Sequence, residues 1–364
     1  MKKNIAWTAF ILLVLSPNAW AGEWQQLNPG TTPGARYGHS MVVLNGKITL
    51  CGGMGPQETV EKGPLWTDVW EWDDLQDKWD EVKPANSPPP ARYFHSAAVI
   101  NGKMYVFFGQ DAGGSVLSDA WCLDPATKNW EQLSYGGQVP SARYLHSAAT
   151  LSDGESPSMA MFGGDGEAAG SDTQGELDTQ GGIDSNAWVY EPFPGGGGYW
   201  TKKAAMPGDP RYGQTCVVVN GKLYVFGGST SEGPLNDMWK YDPVADSWEK
   251  ITPANDPPPP RWLHAAALWE TGMWIMGGMG DGGSELSDTW KFDFTTSTWS
   301  RGPDMILGLS QAGAGIVSSG RGLEVILFGG KNGTTVEGGT YRYVIGEDFP
   351  WALFSPAFRK RRGQ

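Results

Sequence analysis

Pairs of short apolar segments recur along the chain, and several pairs are joined by the same polar turn. Asn-Gly-Lys begins at positions 45, 101 and 220, each time between two apolar runs of strand length. Asn-Gly suits the type I′ turn of a two-residue hairpin, because both residues tolerate the positive φ that this turn needs. The second run usually ends in Gly-Gly. The pattern therefore predicts repeated antiparallel hairpins.

Two further strands are predicted after each hairpin, and tryptophan marks both. Asp-x-Trp begins at 68, 119, 237 and 288 on the third strand, with Asn186-Ala187-Trp188 as the counterpart in another copy. A second tryptophan begins a polar fourth strand. These tryptophans are Trp24, Trp79, Trp130, Trp200, Trp248 and Trp299, at intervals of 55, 51, 70, 48 and 51 residues. A period near 50 indicates a repeat architecture.

Before each hairpin stands an arginine followed by an aromatic residue and, two positions later, a histidine or glutamine. The arginine and aromatic pairs are Arg36-Tyr37, Arg92-Tyr93, Arg143-Tyr144, Arg211-Tyr212 and Arg261-Trp262. The residues two positions later are His39, His95, His146, Gln214 and His264. The fixed order of all these motifs makes each copy one structural unit.

The units resemble the kelch repeat, and the resemblance covers nearly all of the chain after residue 21. It implies one four-stranded propeller blade for each copy, with Tyr and Trp filling the wedge between blades. The 52 glycines and 26 prolines also make an all-helical fold very unfavourable.

The sixth copy, residues 308–344, is degenerate. We align Gly308 with the arginine and Gln311 with the histidine, and Tyr341 takes the place of the third-strand tryptophan. This copy has no fourth strand of its own, whereas Trp24 begins a fourth strand that nothing precedes. The N-terminal strand is therefore expected to complete the sixth blade, which removes exposed sheet edges.

The fold prediction is all-β, a six-bladed kelch-type propeller closed by the N-terminal strand. Its expected extent is residues 22–350, as one domain. A basic C-terminal tail over 351–364 follows, with four cationic residues at 359–362. We interpret that tail as a solvated end of the chain.

Residues 1–21 have the pattern of a secretory signal peptide. Lys2 and Lys3 precede an apolar run over residues 5–15, and Ala19-Trp20-Ala21 offers a cleavage site before Gly22. We expect an exported protein, periplasmic or extracellular, with no transmembrane segment after signal cleavage. The formal charge of the whole chain is −13. This acidity argues against general nucleic-acid binding.

The sequence offers little for metal, redox or nucleophilic chemistry. All four histidines occupy one repeat position, where kelch repeats commonly carry a packing histidine, and we expect no metal and no cofactor. Cys51, Cys122 and Cys216 show no metal-binding or redox spacing, and the sequence does not decide whether two of them form a disulfide. The iron motif of the kelch-like plant specifier proteins is absent, because an alanine or proline stands four residues before each histidine.

Candidate ligand-binding residues follow from the alternation of strand direction. Loops between the second and third strands, and links between blades, must share one face of the propeller. This face is the variable one, and it includes the loops 54–67, 110–118 and 165–184. The five arginines and their aromatic neighbours open the inner strands on this face. Arginine can hold a carboxylate or sulfate with paired hydrogen bonds, so we take these ten residues as candidate ligand contacts.

The loop 165–184 carries six acidic residues and no basic one. A calcium site is one interpretation, but its acidic residues lack the regular spacing of calcium loops. We favour a solvated insertion.

Two functions fit the sequence. The first is a non-enzymatic module that binds a protein, a peptide or an anionic glycan through the variable face. The second is an enzyme, since exported six-bladed kelch proteins include sialic-acid mutarotases, which this chain resembles in size, export and blade number. In that case arginine would hold the sugar carboxylate, while a loop Asp or Glu would move protons. No catalytic residue can be chosen from the sequence.

Overall fold

A computed structural model describes residues 22–57, 63–152, 156–166 and 182–345. Every regular element in these ranges is a β-strand. The predicted signal segment and the predicted basic tail both lie outside the described residues.

Six antiparallel sheets form the six blades, and each sheet contains the four strands that the repeat predicts. Blade 1 contains Ser40–Leu44, Lys47–Cys51, Val69–Asp73 and Lys78–Val82, and blade 2 contains Ser96–Ile100, Lys103–Gln110, Val116–Asp124 and Asn129–Gln132. Blade 3 contains Ser147–Ser152, Ser158–Phe162, Asn186–Pro192 and Gly198–Ala205, and blade 4 contains Thr215–Val219, Lys222–Phe226, Met238–Asp242 and Ser247–Ile251. Blade 5 contains Ala265–Trp269, Gly272–Met276, Thr289–Asp293 and Thr298–Arg301, and blade 6 contains Gly313–Ser319, Gly322–Phe328, Thr340–Ile345 and Gln25–Leu27.

The predicted closure is confirmed. Gln25–Leu27, the closing strand, pairs antiparallel with Thr340–Ile345, so that Gln25 lies opposite Arg342 and Leu27 opposite Thr340. The first strand of each blade contacts the first strand of both neighbouring blades, including blade 6 with blade 1. The six blades therefore form one closed ring around a central channel.

Hydrogen bonds from tryptophan reinforce the ring where it closes. Trp24 Nε1 donates to Thr289 Oγ1 across the seam between blades 6 and 5, at 3.1 Å. Trp79 Nε1 donates to Thr340 Oγ1 across the seam between blades 1 and 6, at 3.0 Å. Both bonds are buried and join residues more than 260 positions apart. They join blade 6 to both of its neighbours, beside the sheet in which the two ends of the ring pair.

A charged network joins blades 6 and 1 on the face opposite the variable loops. Arg342 Nη1 donates to both carboxylate oxygens of Asp77 at 3.0 Å, and Arg321 Nη2 donates to Asp77 Oδ1 at 2.7 Å. Arg321 also pairs with Glu324, whose side chain is fully buried. The ring closure thus combines main-chain pairing, indole hydrogen bonds and ion pairs.

The hairpin turns have the backbone that their sequence predicts. Asn45 and Gly46 have φ values of 51° and 79°, and Asn101 and Gly102 have 51° and 69°. Positive φ at both central residues is the signature of the type I′ turn. These turns lie on the face opposite the variable loops.

Blade 3 carries a fifth strand that the repeat pattern does not predict. Tyr135–Gly137, in the link from blade 2, pairs parallel with Gly198–Ala205 at the outer edge. A Cβ at Gly137 would lie 2.1 Å from the carbonyl oxygen of Trp200, so only glycine fits this close approach.

The three cysteines are all free thiols, in blades 1, 2 and 4. Cys51 and Cys122 are buried, and burial raises the pKa of Cys51 to about 12. The disulfide that the sequence left open does not form.

In the sixth copy the structure shifts the expected alignment by one residue. Gln311 has φ +60°, which matches Phe94 and Leu145 rather than the histidines. Ser310 bridges to Lys331 as Tyr37 bridges to Met54. Leu309 therefore takes the arginine position, Ser310 the aromatic position and Ala312 the histidine position, and the alignment of Gly308 and Gln311 was wrong.

No helix long and apolar enough to cross a membrane occurs in the described part of the chain.

Candidate functional site

The variable loops surround the opening of the central channel, which we call the mouth. The Gly-Gly dipeptides position its aromatic side chains, because they let two blades approach closely. Gly52 has φ +67°, and a Cβ there would lie 2.9 Å from His95 Cε1 and 3.0 Å from the Arg92 carbonyl oxygen of the next blade. The residue after each dipeptide pairs with the aromatic residue of its own blade. These pairs are Tyr37–Met54, Tyr93–Gln110, Tyr144–Asp165, Tyr212–Ser229 and Trp262–Met279.

The five predicted ligand arginines lie beneath this layer and are almost fully buried. Each pairs with an aspartate at the start of the third strand of its blade, with N–O distances between 2.5 and 2.7 Å. The pairs are Arg36–Asp68, Arg92–Asp119, Arg143–Asp184, Arg211–Asp237 and Arg261–Asp288. Each arginine also donates to the carbonyl of the first residue of the Gly-Gly or Phe-Gly dipeptide.

Burial and pairing determine the charge state of these aspartates. Burial alone would raise the pKa of Asp288, yet the hydrogen bonds and charge of Arg261 hold that pKa below its usual value. The same opposition of burial and arginine lowers the pKa values of Asp119 and Asp237. Four of the five aspartates also accept a hydrogen bond from the tryptophan two positions later, at 2.7 Å for Trp290, whereas Asp184 accepts one from Trp188, four positions later.

This geometry argues against the predicted ligand role of the arginines. Their side chains have relative exposures of 0 to 3%. Their charge is balanced within the blade, and a carboxylate ligand would have to displace a buried or half-buried aspartate. The arginines fix the second and third strands of each blade to the mouth, and they offer no surface to a partner.

The expectation that Asp184 belongs to a solvated loop is wrong. Its side chain is buried and pairs with Arg143. Asn186 occupies the aspartate position of the repeat, but its backbone N–H donates to Asp184 Oδ1 at 2.8 Å. The carboxylate of this blade thus comes from two positions earlier. Residues 167–181 of the acidic loop lie outside the described residues.

The four histidines form part of a buried belt around the channel. His95 Nε2 hydrogen-bonds Ser40 Oγ at 2.9 Å, and His146 Nε2 hydrogen-bonds Ser96 Oγ at 2.8 Å. His264 Nε2 does the same with Thr215 Oγ1 at 2.6 Å, so these three histidines each link their blade to the blade before it. The channel at this level is a cavity of about 200 Å³ lined mostly by Ser, Ala and Gly. In the described residues no three His, Cys, Asp or Glu side chains are placed to hold a metal ion.

The aromatic neighbours of the arginines do reach the mouth. Tyr37, Tyr144, Tyr212 and Trp262 are partly exposed, while Tyr93 is buried. Tyr37 and Tyr93 meet edge to face, with ring centroids 6.1 Å apart. Tyr212 and Trp262 do the same at 5.4 Å. Of the ten candidate residues, the four partly exposed aromatic ones supply an accessible surface. They are Tyr37, Tyr144, Tyr212 and Trp262.

Lys331 is a mouth residue that the sequence reasoning did not single out. It follows the last Gly-Gly dipeptide, and its Nζ lies 5.2 Å from the centroid of the Tyr37 ring on the next blade. Its position after Gly329-Gly330 was the available signal. Tyr37, Tyr93, Met54 and Lys331 line a cavity of about 750 Å³ between blades 6, 1 and 2.

The fold and the repeated blade contacts define the class: this is a kelch-repeat propeller. The family model described as KLHDC2/KLHL20/DRC7 Kelch-repeats domain matches residues 12–164 and 154–330. The chain therefore belongs to the kelch-repeat family, as its motifs indicated.

Several characterised proteins are similar to it. Leucine-zipper-like transcriptional regulator 1 homolog of Drosophila melanogaster is 30% identical over 274 residues, covering 73% of this chain and 27% of the fly protein. Kelch domain-containing protein 3 of Homo sapiens is 28% identical over 279 residues, covering 72% of this chain and 68% of the human protein. Acyl-CoA-binding domain-containing protein 5 of Arabidopsis thaliana is 27% identical over 278 residues, covering 75% and 40% respectively. The chain thus spans about a quarter of the fly relative.

Proposed function

We propose that this chain is a protein-interaction module whose partner docks over the mouth. Kelch propellers generally act as protein-interaction scaffolds, and the large cavity on the mouth supports this location. The cavity of about 750 Å³ combines aromatic and thioether surface with threonine hydroxyls and one ammonium group. Aromatic side chains such as tyrosine, together with polar groups that can form hydrogen bonds, are common in protein–protein interfaces. The variable loops that surround it supply specificity on a rigid ring.

A photoreactive amino acid placed at Thr334 tests this proposal. Thr334 is exposed and lines the mouth cavity. We expect it to cross-link a partner protein in cells that produce the chain. The matched control is Val244, which is 96% exposed on a turn of the opposite face. A partner that cross-links equally from both positions, or only from Val244, contradicts docking at the mouth.

We also propose that the partner is met outside the cytoplasm, on the strength of the signal-like segment at residues 1–21. Cleavage before Gly22 would leave the closing strand intact, because that strand begins at Gln25. We expect intact-mass measurement of the exported fraction to give a chain that begins at Gly22. A chain that keeps its first 21 residues and stays in the cytoplasm would refute the export proposal.

No contact in the described residues favours the mutarotase alternative. That mechanism needs arginines free to hold a sugar carboxylate, whereas each of the five is paired with a buried or half-buried aspartate. We therefore do not propose an enzymatic function.

A further inference from the structure

We infer that the mouth recognises a cationic side chain of its partner, an arginine or a lysine, on the side formed by blades 3, 4 and 5. This inference rests on the proposed function and specifies the chemistry of the partner. It reverses the charge that the sequence suggested, since free arginines at the mouth would have favoured an anionic ligand.

Partly exposed aromatic rings are the first element of the cation site. Tyr144, Tyr212 and Trp262 lie on three consecutive blades and are partly exposed. Tyr212 and Trp262 meet edge to face at an interplanar angle of 87°, so they form one continuous aromatic surface across blades 4 and 5. The face of an aromatic ring carries negative potential and attracts a cation placed within about 6 Å of its centroid.

Carboxylates supply the second element. Asp165 lies beside Tyr144, whose hydroxyl donates to Asp165 Oδ2 at 2.8 Å. Burial raises the pKa of Tyr144, and the hydrogen bond to Asp165 raises it further, so the phenol stays protonated as the donor. An arginine of the partner could contact the remaining carboxylate oxygen while lying over the tyrosine ring.

The wider electrostatics of the mouth favour the same charge. Because the five arginines are paired below the surface, they add no net positive charge there. Among the described residues of the six loops that follow the glycine dipeptides, Lys331 is the one basic side chain. Apart from the aspartates that pair with the buried arginines, the acidic residues described in those loops are Asp111, Asp165, Glu232, Asp281, Glu285 and Glu337. Such an excess of one sign attracts a partner of the opposite sign.

The protein itself shows how a cation sits at this mouth. Lys331 places its ammonium group 5.2 Å from the centroid of Tyr37 and forms no ion pair with any described carboxylate. Blade 6 has Ser310 where the other blades have the aromatic residue, and it contributes this lysine to the aromatic ring of blade 1 instead. Lys331 thus occupies the ring of Tyr37, whereas Tyr144, Tyr212 and Trp262 offer equivalent aromatic surface to a cation of the partner.

Titration calorimetry with a capped decapeptide of alternating glycine and arginine tests the inference. We expect this peptide to bind the intact chain, and its citrulline and glutamate counterparts to bind at least tenfold more weakly. Trp262→Leu and Tyr144→Leu leave the net charge unchanged and should each weaken binding about threefold to tenfold. Tyr199→Leu, which removes an aromatic ring that is 46% exposed at the outer edge of blade 3, is the matched control and should change nothing.

Lys331→Gln gives the sharpest result because the sign of its effect is diagnostic. Loss of the internal cation frees Tyr37 and removes repulsion, so the arginine peptide should bind more tightly. Weaker binding in this variant, tighter binding of the glutamate peptide, or no detectable binding of the arginine peptide overturns the inference. Binding that Trp262→Leu and Tyr144→Leu leave unchanged also overturns it, because it shows attraction by the acidic surface alone. If Thr334 still cross-links a partner while the arginine peptide fails, docking at the mouth stands and only the cationic chemistry is refuted.

Discussion

Replacing Asp288 with alanine is expected to lower the free energy of unfolding by about 3–5 kcal/mol, because it leaves the charge of a buried arginine without a partner. The Arg261 side chain is fully buried, and Asp288 accepts bonds from both of its terminal nitrogens, at 2.6 and 2.8 Å. The loss should appear as a lower midpoint of urea unfolding at an unchanged slope.

Blade 6 supplies the control for this prediction. It has Leu309 in the arginine position and Gly339 in the aspartate position, so both partners of the ion pair are absent together. Gly339 is the counterpart of Asp288 because its carbonyl accepts from Gly329 N–H, just as the Asp288 carbonyl accepts from Gly277 N–H. The double variant Arg261→Leu with Asp288→Gly should therefore be more stable than Asp288→Ala alone, since no unpaired charge remains. Asp304→Ala removes an exposed ion pair with Arg301 and should cost about 1 kcal/mol or less. A double variant less stable than Asp288→Ala would show that the pair itself holds the blade together.

Stability is expected to fall steeply as the pH drops below about 6.5, and the histidine belt is the main cause. Burial, with the charge of the neighbouring arginines, lowers the pKa values of His95 and His264 to about 3, and it lowers those of His39 and His146 as well. The unfolded chain binds protons at these histidines below about pH 6.5. The folded chain does not bind these protons until about pH 3. The contribution of these histidines to stability is therefore complete above about pH 6.5 and is lost as the pH falls toward 3.

Each buried histidine should add about 1.4 kcal/mol per pH unit to the slope once its unfolded form is protonated. His264→Gln removes one of them, and Gln214 shows that glutamine fits this repeat position. Gln214 Nε2 reaches Ser147 Oγ of the preceding blade at 3.3 Å, as His264 reaches Thr215. The free energy of unfolding, measured by urea unfolding between pH 4 and 5.5, should therefore fall less steeply with pH in the variant, by about 1.4 kcal/mol per pH unit. Parallel curves would mean that this histidine takes up its proton in the folded chain.

The repeat motifs predicted the architecture because each one has a local cause. Asn45-Gly46 specifies a type I′ hairpin, and Gly52-Gly53 marks the place where two blades touch. The closing strand could be predicted because Trp24 begins a fourth strand that no blade otherwise owns. In these cases a residue type is required by backbone geometry within a few positions, so the sequence alone is sufficient.

The candidate site could be predicted only in part. Four of the five aromatic residues lie partly exposed at the mouth, and their ligand role stays a prediction. The pairing of Arg143 with Asp184 depends on residues 41 positions apart. Motif spacing pointed to Asn186 instead. Lys331 could not be assigned either, since its contact with Tyr37 exists only once the ring has closed. Whether a charged side chain faces a ligand or a buried partner is decided by tertiary packing, which a repeat motif does not encode.

The closing strand also sets the order in which the molecule can be completed during synthesis. Gln25 and its partner Arg342 are 317 residues apart. At about 5–20 residues per second the first strand waits roughly 15–60 seconds for its partner to be made. An unpaired strand edge is open to wrong pairing for all of that time. The strand is only three residues long and begins with two exposed glutamines. The strand that waits longest for its partner therefore presents little apolar edge to a neighbouring nascent chain.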